Sequence, residues 1–504
     1  MNEVPSPRAL LAATPRRDET ALVRTLFSAL EESGIFYCHW KSNCRLGETM
    51  AALEDIDILV DRRDAAALLS EMGKKGFKLA VSSSGTGHPS TFHAIGLDPE
   101  SAQLVDLHAC HQVYSGDSLV KNYRMALEGP LLSHTRKVKG VRVPEAELEL
   151  VYFVLRIALK HLSPIEMLKS NRRYEKTSGE LQWLLREADE AKAAELCTSL
   201  FPSIDQRTFD KLLDAIGNDR ALIGRALLGW KVAWRLRGLK RLGTIRAFVS
   251  RTWRVLALVA SRLTRRKGLS LQTGGFIVAL VGPKATGKST LANELAVRFG
   301  KHLKVLRIHA GKPPASVLSW LPMRFVPLAR RLLPHERLSA YENTEKRQSR
   351  KFSLFYVARM TLLAYDRRKL LRHALRQAAA GAIVISDRYP SQTNGAIDSS
   401  CFDDVAIEKC RSPLKRWLMK KEQSIYQDLP RPDLVIRLEA PMDLALQRDA
   451  TRQKLGGPDA EAVRRRWELE SSAKFPGSLH TNLSTTAPLE ETVRRAAAII
   501  WSSL

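Results

Sequence analysis

The chain has 504 residues, too many for one ordinary hydrophobic core, so two or three domains are expected. Its 44% hydrophobic content is that of a globular protein, while 80 Lys and Arg against 53 Asp and Glu leave a net charge of +27. That balance argues against a chain with neutral partners only and points to nucleotides, nucleic acid or an acidic membrane surface. The cysteines at 38, 44, 110, 197, 401 and 410 show no C-x-x-C or zinc-like spacing. Residues 1–18 lack an apolar signal core, and no uncharged apolar run reaches the length of a membrane span. A cytoplasmic protein with reduced thiols is the simplest expectation.

Three sections follow one another, and the expected fold class is α/β multidomain. Residues 19–143 alternate short helix and strand patterns and read as an α+β domain. Residues 144–270 are almost wholly helical and end in a basic connector. Residues 271–504 open on an apolar strand and continue as β/α units with a parallel sheet.

In the first section, residues 35–40 read as a strand leading into Lys41-Ser42-Asn43. The next strand carries Asp55 and Asp57 on one face, because side chains alternate along a strand. A third strand, residues 102–108, carries Asp106. Two carboxylates at i and i+2 plus one on a neighbouring strand suit a two-metal phosphoryl or nucleotidyl transfer site, with Asp106 able to polarise an attacking hydroxyl. The competing reading is a half-buried strand with a polar outer face. His108-Ala109-Cys110-His111 has too few companions to suggest a dedicated metal. With these residues in view, 20–120 resembles the nucleotidyltransferase superfamily that includes polymerase β-like enzymes, most of all its small bacterial branch with Trp-Lys-Ser-Asn, Asp-x-Asp and Val-Asp-Leu-His segments. The resemblance implies Mg²⁺ held by Asp55, Asp57 and Asp106. Lys41-Ser42 stands where the superfamily has Gly-Ser.

The middle section ends without a single acidic residue from Arg220 to Asn293, while Trp, Leu and Val interleave with Arg and Lys over 231–267. A basic amphipathic helix bearing Trp can lie on an anionic bilayer. The alternative is a helical linker whose apolar face packs on a neighbouring domain. No nucleic-acid recognition fold is visible, so no specific nucleic acid is expected.

The third section begins with the β-branched run 276–281, then Gly282-Pro283-Lys284-Ala285-Thr286-Gly287-Lys288-Ser289-Thr290, then a helical pattern closed by Gly300. This fits G-x-x-x-x-G-K-[ST] in its strand–loop–helix context. Such a loop curls its backbone N–H groups around phosphates, with Lys288 on the β/γ-phosphates and Ser289 on Mg²⁺. Competing readings are a chance loop and a loop that no longer binds nucleotide. A strand over 305–309 leads into Ala310-Gly311-Lys312-Pro313-Pro314. A long helix over 353–379 carries Asp366-Arg367. A strand ends in Asp387-Arg388-Tyr389, followed by Pro390-Ser391-Gln392-Thr393-Asn394. Another strand, 432–441, precedes Arg448, Arg452, Lys454 and Arg464 to Arg466, and a last helix covers 489–501 after a Ser/Thr-rich turn.

On these motifs, most of 275–500 resembles the thymidylate kinase-like branch of the P-loop nucleoside monophosphate kinases. The resemblance implies ATP and Mg²⁺ as cofactors and Asp387 as organiser of Mg²⁺ and the reacting phosphates. It implies Arg388 and Arg367 on an acceptor phosphate, with Asp366 beside them, and Arg448 and Arg452 as lid cations. The family's acidic-Arg-Pro-Gly-Gly acceptor segment is replaced here by residues 310–314. The expected activity is therefore ATP-dependent phosphoryl transfer to dTMP or another phosphorylated or hydroxylated small molecule, from a chain that the family suggests is a homodimer. Two alternatives stand beside it: nucleotidyl transfer to a sugar or small molecule by the first domain, and a nucleotide-binding, membrane-peripheral regulatory protein.

Overall fold

The computed structural model describes residues 19–82, 87–160, 162, 174–218, 222–263, 268–316, 319–320, 352–393, 398–450, 467, 470–471 and 473–504. The chain is mixed α/β and divides into two compact units, Met1–Lys267 and Gly268–Leu504, so the helical stretch from residue 144 belongs with the first.

The first unit opens with α1 (Ala21–Glu32), whose Leu22, Val23, Leu26, Phe27 and Leu30 recur at helical spacing and are buried. Gly34, at φ +65, turns the chain out of this helix, a conformation that costs glycine least. The strands β1 (Tyr37–His39), β2 (Ile56–Val60), β3 (Lys78–Ser82), β4 (Thr91–Leu97) and β5 (Leu104–Cys110) then form a sheet, with α2 (Ala65–Lys74) between β2 and β3. Their order within this unit is β1-β2-β5-β4-β3. Only β2 and β5 run parallel; the other pairs are antiparallel. One core joins α1 to the sheet through Ile56, Ile58, Val105 and Leu107.

A second core is helical and centres on α3 (Ala146–Lys160), buried from Leu148 to Leu159 on nearly every side. It is surrounded by α4 (Tyr174–Glu187), α5 (Glu190–Leu200), α6 (Gln206–Gly217) and α7 (Leu222–Arg235). Each fully buried Leu or Phe there contributes about 1.5–3 kcal/mol of burial. The unit ends with α8 (Thr244–Leu263).

The second unit is a five-stranded, wholly parallel sheet. Its strands are β6 (Phe276–Val281), β7 (Val305–His309), β8 (Ile383–Asp387), β9 (Leu434–Glu439) and β10 (Leu479–Ser484), ordered β7-β8-β6-β9-β10. The central β6 and β8 are near-continuous apolar runs because both their faces are covered. The unit's longer helices among the described residues are α9 (Lys288–Phe299), α10 (Leu354–Ala379), α11 (Pro413–Gln427), α12 (Met442–Ala450) and α13 (Leu489–Ser503). Leu371, Ala374 and Ala378 of α10 pack on Ile277 and Ala279 of β6. Phe299 of α9 stacks on Trp501 of α13 with centroids 6.1 Å apart. The first strand lies beside the third on one side and the fourth on the other. The chain therefore reverses direction across the sheet at β6, and a crevice opens at the strand C-termini there. The Ser/Thr-rich stretch before the last helix, read from sequence as a turn, contains the edge strand β10.

Candidate functional sites

The crevice of the second unit is built where β6 and β8 end side by side, Leu280 opposite Asp387. Gly282 leaves β6 at φ +133, and a side chain there would meet the Leu438 carbonyl oxygen at 2.4 Å. Gly287, at φ +89, opens α9. The loop between them bends Lys288 back on itself: its buried Nζ donates to the carbonyls of Gly282 (2.7 Å) and Pro283 (2.6 Å). Thr286 Oγ1 donates to the Pro283 carbonyl at 2.9 Å. Ser289 Oγ donates to Asp387 Oδ2 at 2.5 Å, and His309 Nε2 lies 4.0 Å from the same oxygen. A hydroxyl and a carboxylate facing each other at a loop–helix junction are hard oxygen donors that suit Mg²⁺.

Arg388 follows at φ +72, held by a Ser386 Oγ donation to its carbonyl at 2.6 Å. A left-handed arginine at the end of a central strand is backbone strain of the kind that aims a side chain. Its Nη1 is 3.5 Å from Asp398 Oδ2. Arg367, buried on α10, donates through Nε to the Ala310 carbonyl (2.9 Å), through Nη2 to Asp398 Oδ1 (2.6 Å) and through Nη1 to the Tyr426 hydroxyl. Burial works against the Arg367 charge, but Tyr426 and Asp398 outweigh it and its pKa is raised. Asp366 turns the other way and accepts from the Ser316 N–H at 3.1 Å. Gly282, Lys288, Arg388, Ser391 and Asp398 line one cleft.

Thus Lys288 and Arg388 share that cleft, Ser289 meets Asp387, and Arg367 meets Arg388 through Asp398. Arg448 donates to the carbonyl (2.9 Å) and hydroxyl (3.4 Å) of Thr485, just past β10, and is not among the described residues lining the cleft. Arg452, Lys454, Asn394 and Arg464 to Arg466 lie outside the described residues. Sequence reasoning missed Asp398, Tyr426 and Glu422. Glu422 is buried, which pushes its carboxyl up to about 7, and it accepts from Ser400 Oγ (2.8 Å) and the Cys401 N–H (3.0 Å).

The first unit brings its carboxylates together around a histidine. Asp57 of β2 stands opposite His108 of β5, and alternation puts Asp106 on the same face as His108. His108 Nδ1 is 3.3 Å from Asp57, and its Nε2 is 3.4 Å from Asp106 and 3.9 Å from Asp55. His93 of β4 lies 3.7 Å from Asp106 and edge-on to His108. Lys41 Nζ is 2.9 Å from Asp57. Burial disfavours charge on both His108 and Asp57, but their charged neighbours more than compensate it. Asp106 and Asp57 push His108 up to about 10, and Lys41 and His108 hold Asp57 well below the usual carboxylate range. Burial, with Lys41 nearby, brings Lys121 down to about 8.

Ligand atoms of His93, Asp106 and His108 lie within 4.8 Å of one another, so the donor set could hold a divalent cation. His111 does not join it: its Nδ1 is paired with the Val60 carbonyl at 3.0 Å.

The Lys41-Ser42-Asn43 loop is fixed from below. Ser42 is left-handed at φ 60. Asn43 Oδ1 lies 2.5 Å from His39 Nδ1, and the Asn43 N–H donates to Glu149 of α3 at 3.2 Å. Ser42 Oγ donates to Glu180 of α4 (3.3 Å), which also accepts from Arg156 at 2.7 Å. Burial pushes the Glu149 carboxyl up to about 7. Sequence reading left these helical residues without a role.

The basic helices have their faces inverted. On α8, Arg251 pairs with Asp117 at 2.8 Å and Arg254 donates to the Gly87 carbonyl at 3.0 Å, so cations face the unit. Ile245, Phe248, Val249, Trp253 and Leu256 share the other face and are 57% to 81% exposed. On α7, Ile223, Leu227, Trp230 and Trp234 form a second exposed row. Among the described residues, no helix is long and apolar enough to cross a membrane. Comparison with protein-family models and with curated proteins finds no match to this chain.

Proposed function

We propose that the second unit is an ATP- and Mg²⁺-dependent phosphotransferase of the thymidylate kinase-like P-loop type. The observation that carries this reading is the Ser289–Asp387 pair at the mouth of the glycine loop, in a crevice that also collects Lys288 and Arg388. The loop N–H groups and the α9 N-terminus favour phosphate oxygens. Lys288 would exchange its two loop carbonyls for the β/γ-phosphates, and Arg388 would stabilise charge on the transferring group. Ser289 and Asp387 would hold Mg²⁺, which neutralises phosphate charge when bound. With ATP, Mg²⁺ and a panel of acceptors, the full chain should release ADP only when an acceptor is present. Lys288→Ala should cut that rate by roughly 10²–10³-fold with the melting temperature preserved. Unchanged turnover in that variant rules the reading out.

The first unit reads best as a nucleotidyltransferase-like domain, supported by the convergence of Asp55, Asp57 and Asp106 beside Lys41. Its cations and carboxylates suit a metal-bound nucleotide. Release of pyrophosphate from a nucleoside triphosphate, lost in Asp57→Ala and retained in Lys288→Ala, would assign that reaction to this unit.

The exposed faces of α7 and α8 support a membrane-peripheral location. Rows of Trp, Phe and Ile beside the exposed Lys231 and Arg246 match an anionic bilayer in both polarity and charge. Self-association through the same surface would oppose two stretches that lack any acidic residue. The full chain should sediment with phosphatidylcholine vesicles containing phosphatidylglycerol at low salt and not with phosphatidylcholine alone. Replacing Phe248 and Trp253 by Ser should weaken that binding by roughly tenfold or more. No sedimentation at low salt removes the proposal.

A further inference from the structure

Arg367 and Arg388 are the cations expected to receive an acceptor phosphate, yet both are paired with the same internal carboxylate. Asp398 lies 2.6 Å from Arg367 Nη2 and 3.5 Å from Arg388 Nη1. The other two Arg367 nitrogens are committed to the Ala310 carbonyl and the Tyr426 hydroxyl. No edge of that guanidinium is left for a bidentate grip on phosphate.

Asp398 is built into this place. Its side chain is 10% exposed. The Ser391 N–H donates to the next residue, Ser399 Oγ, at 2.8 Å, and Glu422 accepts from Ser400 and Cys401 beyond it. Residue 311 is glycine where a Cβ would come within 2.6 Å of Asp398 Oδ2 and 3.0 Å of Arg388 Cδ. Asp398 Oδ2 is buried and accepts no hydrogen bond, and Asp398 lines the cleft shared with Gly282 and Lys288. A phosphate monoester entering here would meet a fixed like charge over arginines already neutralised.

We propose that this site, on the reading of the second unit as an ATP-dependent phosphotransferase, takes a neutral hydroxyl acceptor such as a sugar or nucleoside, with Asp398 Oδ2 as its proton acceptor. The acceptor oxygen forms a bond to the γ-phosphorus as the bond from that phosphorus to the β,γ-bridging oxygen breaks. The hydroxyl proton passes to Asp398 Oδ2, and ADP leaves with the electron pair of the broken bond. Arg367 orients Asp398 through Oδ1, which leaves Oδ2, without a hydrogen bond of its own, to take the substrate hydroxyl.

The test uses the full chain, ATP, Mg²⁺ and two acceptor sets: neutral nucleosides and hexoses, and nucleoside monophosphates. ADP release should be driven by a neutral acceptor. Release driven by monophosphates alone overturns the proposal. Asp398→Asn keeps an acceptor for Arg367 but removes the charge. It should lose roughly 10²–10⁴-fold in turnover and gain affinity for inorganic phosphate, read by calorimetry. Equal phosphate affinity in wild type and Asp398→Asn also overturns it, and this arm needs no turnover. If neither acceptor set is used and ATP does not raise the melting temperature, the phosphotransferase reading itself fails. Where Asp398→Asn does not fold, Gly311→Ala, which crowds Asp398 Oδ2 but keeps its charge, should lower turnover without raising phosphate affinity, and unchanged turnover in it overturns the proposal.

Discussion

The two units solve the same electrostatic problem with opposite signs. The first gathers Asp55, Asp57 and Asp106 on adjacent strands and neutralises them with its own Lys41 and His108. The second gathers Arg367 and Arg388 at one crevice and neutralises them with its own Asp398. Like charges cannot be brought together under partial burial without compensation, because each ion loses solvation that only a partner restores. The internal counterion therefore marks what each site is built to meet. An anionic set held by a lysine and an imidazolium suits a metal-bound anion; a cationic set held by a carboxylate suits an acceptor that brings no charge.

The largest test of this contrast is at Asp57. In the absence of nucleotide, Mn²⁺ binding to the full chain, followed by electron paramagnetic resonance, should weaken by roughly a hundredfold in Asp57→Ala. Acceptor-driven ADP release should be unaffected, since Lys288, Ser289 and Asp387 all belong to the other unit. Equal Mn²⁺ binding in both proteins means that the carboxylate cluster is a structural ion network, and the parallel between the sites fails.

A smaller effect comes from the two buried glutamates that pin a loop in each site. Burial raises Glu149 and Glu422 from 4.5 to about 7. Below pH 4.5 both the folded and the unfolded chain hold these protons. Between 4.5 and 7 the unfolded chain releases them first, so stability falls as pH rises, by up to about 3 kcal/mol for each group. Glu149→Gln and Glu422→Gln should each flatten the decline in urea midpoint across that window and leave pH 4.5 unchanged. If either variant keeps the full slope, that glutamate is not the group holding the proton.

Much of the scaffold could be read from residue order because it rests on local signals. The β-branched runs of β6 and β8, the glycine loop and the period of α10 each announce themselves within a few residues. The strand β10 does not: only Leu483 is buried and its other residues sit at the sheet edge, so polar side chains there carry no strand pattern. Asp398 was illegible for a different reason. It sits in a loop 31 residues from Arg367, and only the tertiary fold shows that it bridges two arginines. The helix α8 was read as amphipathic, but its spacing is the same whichever face turns inward. The partners Asp117 and Gly87, distant in sequence, decide that the basic side does. Glu149 was hidden in the same way, as one charge in a helix that proves buried nearly all round.

The smallest effect separates how the two sites are held. The loop at Lys41 rests on buried side chains, whereas Arg367 is carried by one long helix, α10. That helix starts at Ser353, whose Oγ accepts from the Tyr356 N–H at 3.1 Å. Removing this cap in Ser353→Ala should cost about 1 kcal/mol, because one orphan donor of the first turn loses its partner. The loss should appear as roughly fivefold faster hydrogen exchange at the Tyr356 amide. Arg367 lies well along the helix and is tied independently to Ala310, Tyr426 and Asp398. Acceptor-driven ADP release should therefore stay within about twofold of wild type. A large drop in release with only this cap removed would mean that the position of Arg367 depends on the helix start rather than on its three partners.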